Sequence, residues 1–147
     1  MSSFNQKNMQ SIPNTLARIV SNQTKFDHVT PILKGLHWLP VSYRCLFKTA
    51  TLVYKYLHSG LPSYLGPYLS QTSCTYKTRQ SQPDRQYLTM PPYHSSLYKS
   101  AKQFGLSFAF DGPKIWNDLP DDVRGATSLA SFRRRLKTYL FSKAFPP

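Results

Sequence analysis

Val41-Ser42-Tyr43-Arg44-Cys45-Leu46-Phe47-Lys48-Thr49-Ala50-Thr51-Leu52-Val53-Tyr54-Lys55-Tyr56-Leu57-His58 is the stretch that decides the fold class. Tyr43, Leu46, Phe47, Ala50, Val53, Tyr54 and Leu57 recur at i, i+3, i+4 and i+7, which lines apolar side chains into one broad stripe along an α-helix. Pro40 stands just before the run and opens the helix, because a proline at a helix start gives up no needed N–H. Gly60 stands just past it, where the left-handed backbone that ends a helix costs glycine nothing. Arg44, Lys48 and Lys55 return to nearly one side of the same helix, away from the apolar stripe.

Working outward, a second strong helix is read over Leu129 to Ser142, with Ser128 as its cap. Leu129, Phe132, Leu136, Tyr139 and Leu140 form its apolar stripe, and Arg133, Arg134, Arg135 and Lys137 crowd the other faces. Thr30-Pro31 is read as the capped start of a short helix that ends near Gly35, and Leu61 to Leu69 as another. Asn14 to Val20 reads as a short helix capped by Asn14 or Thr15, and the polar residues 1–13 are expected to be disordered. Asp121 and Asp122 follow Pro120 and suit the first turn of a short helix, where negative charge opposes the macrodipole. Pro113 is read as starting a short helix that carries Ile115 and Trp116. Phe104, Leu106, Phe108 and Phe110 alternate, which leaves a strand or the wall of a helical core open.

Residues 70–98 hold Ser, Thr, Gln, Pro and Tyr with no period, so an extended irregular segment is expected, with a short strand near Tyr87-Leu88-Thr89-Met90. The predicted fold is therefore mainly α: a small helical domain with a long irregular segment and room for one short strand pair. Four regions follow in order: 1–13, 14–69, 70–98 and 99–147.

Charge narrows the function. Nineteen Lys and Arg face six Asp and no Glu, a net charge of +13 in 147 residues. Such a surface suits the phosphate backbone of RNA or DNA with little sequence preference; an anionic membrane is the weaker alternative. The hydrophobic share of 40% argues against a wholly disordered chain. Cys45 and Cys74 make no framework and read as reduced thiols. No run approaches the roughly 18 apolar residues of a membrane span, and the first residues form no apolar h-region, so no secretory signal is expected. An intracellular protein, of nucleus or cytoplasm, is expected.

The chemistry expected is binding. Two-metal phosphoryl transfer needs clustered carboxylates, and the one adjacent pair, Asp121-Asp122, lies in a helix-start context. His28, His37, His58 and His94 are scattered, and Gly60, Gly66, Gly105 and Gly112 stand apart, so neither a metal centre nor a phosphate loop is predicted, and no cofactor. Lys77, Arg79, Arg85, Tyr87, Tyr93, Tyr98, Lys99 and Lys102 interleave cations with rings, a pattern open to base stacking or to plain anchoring of the segment. Trp38 and Trp116 are read as core anchors at helix junctions.

Four phrases stand in order along the chain: Leu36-His37-Trp38-Leu39-Pro40-Val41, Phe104-Gly105, Pro113-Lys114-Ile115-Trp116-Asn117-Asp118-Leu119-Pro120, and Ser131-Phe132-Arg133-Arg134-Arg135-Leu136-Lys137-Thr138-Tyr139-Leu140-Phe141. In this order and spacing they resemble the C-terminal thumb and tail of the reverse transcriptase encoded by LINE-type (non-LTR) retrotransposons. The resemblance spans about Leu16 to Phe145. It implies a thumb-like helical region over 14–69, no catalytic palm, and a chain that is no enzyme alone. It also implies a grip on template RNA and target DNA through Arg44, Lys48, Lys55, Arg133, Arg134, Arg135 and Lys137. Two other readings stay open: a stand-alone helical interaction module derived from such an element, and a non-functional relic.

Overall fold

The computed structural model describes residues 3–69, 87–90 and 108–146. They are mainly helical. Helices α1 (Ser3–Val20), α2 (Val29–Gly35) and α3 (Val41–Ser59) precede a short 3-10 helix, Ser63–Tyr68; α4 (Phe108–Asn117), α5 (Asp121–Arg124) and α6 (Leu129–Ala144) follow. The chain divides into two compact units, one of residues 1–47 with 136–147 and one of residues 48–135. This division cuts across the regions expected from chain order, because a helix can give its two halves to different cores.

The first seven residues of α3 and the last nine of α6 belong to the first unit. Its core is Ala17, Leu33 and Phe145, with Val29, Ile32, Leu36, Trp38, Phe141 and Ala144 packed against them. Trp38 is thus an anchor, though half-buried. Helix α1 runs back through residues expected to be disordered and carries Pro13 inside it. Asn14 and Thr15 are interior residues of that helix, not caps. The polar side chains that hid the helix support it locally: Gln10 donates to Asn14 Oδ1 at 2.7 Å, and the Thr15 hydroxyl to the Ser11 carbonyl at 3.0 Å. Gln10 also accepts the Val41 N–H at 2.7 Å, filling an orphan donor at the start of α3. Helix α2 starts at Val29, one residue before the expected cap Thr30, and His28 at the cap position makes no side-chain bond.

In the second unit, Ala50, Val53 and Tyr54 of the predicted α3 stripe are buried, together with Thr51. Gly60 closes α3 with φ of 66°, and its N–H reaches the Tyr56 carbonyl at 2.8 Å. Space does not require glycine there, since a Cβ would meet nothing within 4 Å; backbone conformation does. Trp116, 1% exposed, and Phe132, fully buried, meet Tyr54 in one aromatic cluster. Pro113 lies within α4, five residues after its start at Phe108. Asp121 and Asp122 do occupy the first turn of α5. Ser128 caps α6 as expected, its hydroxyl accepting the Ser131 N–H at 3.2 Å.

Among the described residues there is no strand pair; Leu88 makes an isolated bridge, and Tyr87 to Met90 is otherwise irregular. The Asn117 side chain holds that segment. Its amide donates to the Leu88 carbonyl at 2.9 Å, and its oxygen accepts the Leu88 N–H at 3.0 Å. One side chain thereby serves both backbone groups of Leu88, as a neighbouring strand would. The rest of the expected irregular segment, and Phe104 and Leu106, lie outside the described residues.

Candidate nucleic-acid interface

Helix α3 presents Arg44, Lys48 and Lys55 within about 40° of arc, given about 100° per residue. Arg44 and Lys48 are exposed and Lys55 is half-buried. Arg44 is also held in place: its Nε–H donates to the Leu39 carbonyl at 2.7 Å, and its guanidinium lies 5.9 Å from the Trp38 ring centre. A cation fixed over an indole has lost part of its rotamer freedom before any phosphate arrives.

Helix α6 separates the four cations that sequence reading groups together. All of Arg133, Arg134, Arg135 and Lys137 are exposed. Consecutive residues step round a helix by about 100°, so three adjacent arginines cannot share a face. Arg133 and Lys137, four apart, stack on one side, with Arg134 next to them. Arg135 lies across the helix and donates through Nη1 to the Asp122 carbonyl at 2.6 Å. It ties α6 to α5.

Two of the described acids are engaged by close neighbours in sequence. The first unit contains one, Asp27, whose carboxylate accepts the Thr24 hydroxyl at 2.8 Å and the Thr24 N–H at 2.6 Å. The hydroxyl above all, then the N–H, hold its carboxyl below the ordinary carboxylate value. Asp121 pairs with Arg124 within α5, so the adjacent Asp pair belongs to a helix turn. Among the described residues no three of His, Cys, Asp and Glu gather as metal ligands, and no helix is long and apolar enough to cross a membrane.

Of the interleaved cations and rings between 77 and 102, Tyr87 is described, and it is an anchor. Its ring lies 4.6 Å under the Arg124 guanidinium, and its hydroxyl accepts from Arg124 at 3.4 Å. The other seven fall outside the described residues. Sequence reading missed Lys34 and His37, which share a groove with Lys137 in the first unit. Their spacing at the end of a short helix carries no signal of its own. His37 takes φ of 55°, a backbone choice legible only in the fold.

Set beside protein-family models, curated proteins and solved structures, the chain matches none of them.

Proposed function

We propose that this chain is a nucleic-acid-binding piece of a retrotransposon RNA-directed DNA polymerase that lacks the catalytic palm. The observation that carries the binding half is the exposure of Arg44, Lys48, Arg133, Arg134 and Lys137 on a chain of net charge +13. The polymerase half rests on the resemblance of the four sequence phrases to LINE-type enzymes. Partners on this reading are phosphate backbones of RNA and DNA, read with little sequence preference. Residence in the nucleus or cytoplasm follows from the same reading.

Salt-dependent anisotropy with a labelled oligonucleotide tests it. Neutralising about five phosphates gives a log–log slope of affinity against salt near −4. Replacing Arg133, Arg134 and Arg135 together by Ala should flatten that slope, and the Arg133 and Arg134 changes should account for about 2 units of it. Affinity indifferent to salt would remove the proposal.

A specific observation favours the second reading, a protein-interaction module. Met9, Ile12, Leu16, Ile19 and Val20 on α1 are 45–68% exposed and fall within about 100° of arc. An apolar stripe of this kind marks an interaction surface. Sedimentation separates the readings: mass that rises with concentration, and no longer does so in Leu16→Lys, belongs to the module.

A further inference from the structure

The first unit holds a groove of about 580 Å³ between the end of α2 and the last turns of α6. Its walls differ in chemistry. Lys34 and Lys137 bring two exposed ammonium groups to it, from opposite elements. Its aromatic wall is His37, Phe141 and Phe145. The His37 ring stacks on Phe141 with centres 5.3 Å apart and planes 13° off parallel, and Phe141 meets Phe145 at 4.9 Å.

His37 is presented by its backbone. A φ of 55° turns the chain left-handed just past α2, which His tolerates better than most residues. Its N–H reaches the Lys34 carbonyl at 3.2 Å. Nδ1 lies 3.3 Å from the Gly35 carbonyl, which can only accept, so a proton on Nδ1 would complete that bond. Among the described residues neither Lys34 nor Lys137 has an ion pair, and Asp27, the one acid of this unit, is engaged by Thr24.

We infer that this groove takes one unpaired nucleotide of a single-stranded nucleic acid. Its base stacks against the His37–Phe141 pair, and its phosphate lies between Lys34 and Lys137. Rings alone would suit any apolar ligand, and lysines alone any anion. Together they suit a planar group joined to a phosphate, and the volume falls in the range of small-ligand sites, about 300–1,000 Å³. The inference rests on the nucleic-acid reading above and adds to it a preference for unpaired bases.

The test compares a single-stranded 12-mer with a strand of the same length and charge that carries abasic residues at every position, by anisotropy over a salt series. The full-length chain is expected to bind the intact strand about 5- to 150-fold more tightly than the abasic one, the range for stacking of one base. His37→Asn keeps a residue that tolerates the left-handed backbone and removes the ring, with folding checked by circular dichroism. It should erase the difference and leave the salt slope unchanged. Lys34→Gln should instead lower the slope by about 1 for both strands. Equal binding of the two strands by wild type, both salt-dependent, overturns the groove assignment and leaves the phosphate reading standing. So does a difference that survives His37→Asn. No salt-dependent binding of either strand overturns both.

Discussion

Asn117 shows how one side chain can stand in for a β-strand. Replacing it by Ala leaves the Leu88 N–H and carbonyl without their partners while Leu88 itself stays 2% exposed. A lost buried partner costs about 1–3 kcal/mol, so urea denaturation of Asn117→Ala should register a loss of that size. A loss below about 0.3 kcal/mol would mean that water replaces the amide freely. Tyr54 is the second residue of this kind. Its ring lies between His58 and Phe132, with centres at 3.9 and 4.2 Å, and its hydroxyl donates to the Ala126 carbonyl at 2.7 Å. Burial raises the hydroxyl's pKa above its ordinary 10.0, so the fold keeps the neutral phenol. Tyr54's contribution is therefore complete below pH 10.0, where the unfolded phenol is neutral as well, and is lost as pH climbs from there toward the folded value. Tyr54→Phe should cost about 1–2 kcal/mol at neutral pH and flatten the decline above pH 10; an undiminished decline would assign it to other tyrosines.

At the scale of elements, what was legible depended on whether a helix carries its own periodicity. Helices α3 and α6 do, because each buries a continuous stripe, and the sequence places their starts and stops within two residues. Helix α1 does not. Of its residues with described side chains, Pro13 and Ala17 are buried, so its support comes from Gln10, Asn14 and Thr15 bonds that no pattern of apolar residues announces. The bond from Val41 to Gln10 spans 31 positions, a separation that local reading cannot bridge. Gln10→Ala should leave the Val41 N–H without its acceptor. Hydrogen exchange at Val41 should then rise by about 2- to 30-fold, in keeping with a cap worth about 0.5–2 kcal/mol. An unchanged exchange rate would show that water or the local chain already satisfies this donor. Gly60 was legible as a stop because its chemistry is local. Gly60→Ala should destabilise by about 1–2 kcal/mol through φ alone, since no side chain crowds the site. The basic residues were legible too, as a set. Their division was not: that Arg135 reaches the Asp122 carbonyl depends on how α5 returns to α6.

For the whole molecule, the deciding quantity is where the positive charge is left uncompensated. Residues 1–47 with 136–147 hold seven Lys and Arg against Asp27, and residues 48–135 hold twelve against five Asp. Both units are therefore basic, and neither alone accounts for the net charge. A strand of nucleic acid meets an excess of cations on whichever unit it touches, and at about 0.1 M salt charges beyond roughly 10 Å of it are screened. Binding should then depend on salt and strand length and hardly on sequence. Raising salt from about 0.05 to 0.2 M should weaken binding about 250-fold for a slope near −4. Two 20-mers of unrelated, evenly mixed sequence should bind within about threefold of one another, because phosphate contacts position a strand without reading it. Arg135→Ala separates fold from interface in the same experiment. It should lower the urea midpoint, through loss of the Asp122 tie, and change the salt slope little, whereas Arg133→Ala should lower the slope by about 1 and leave the midpoint in place. The reverse outcome, with Arg135 governing the slope, would place the nucleic acid on the opposite side of α6 from the Arg133 and Lys137 pair.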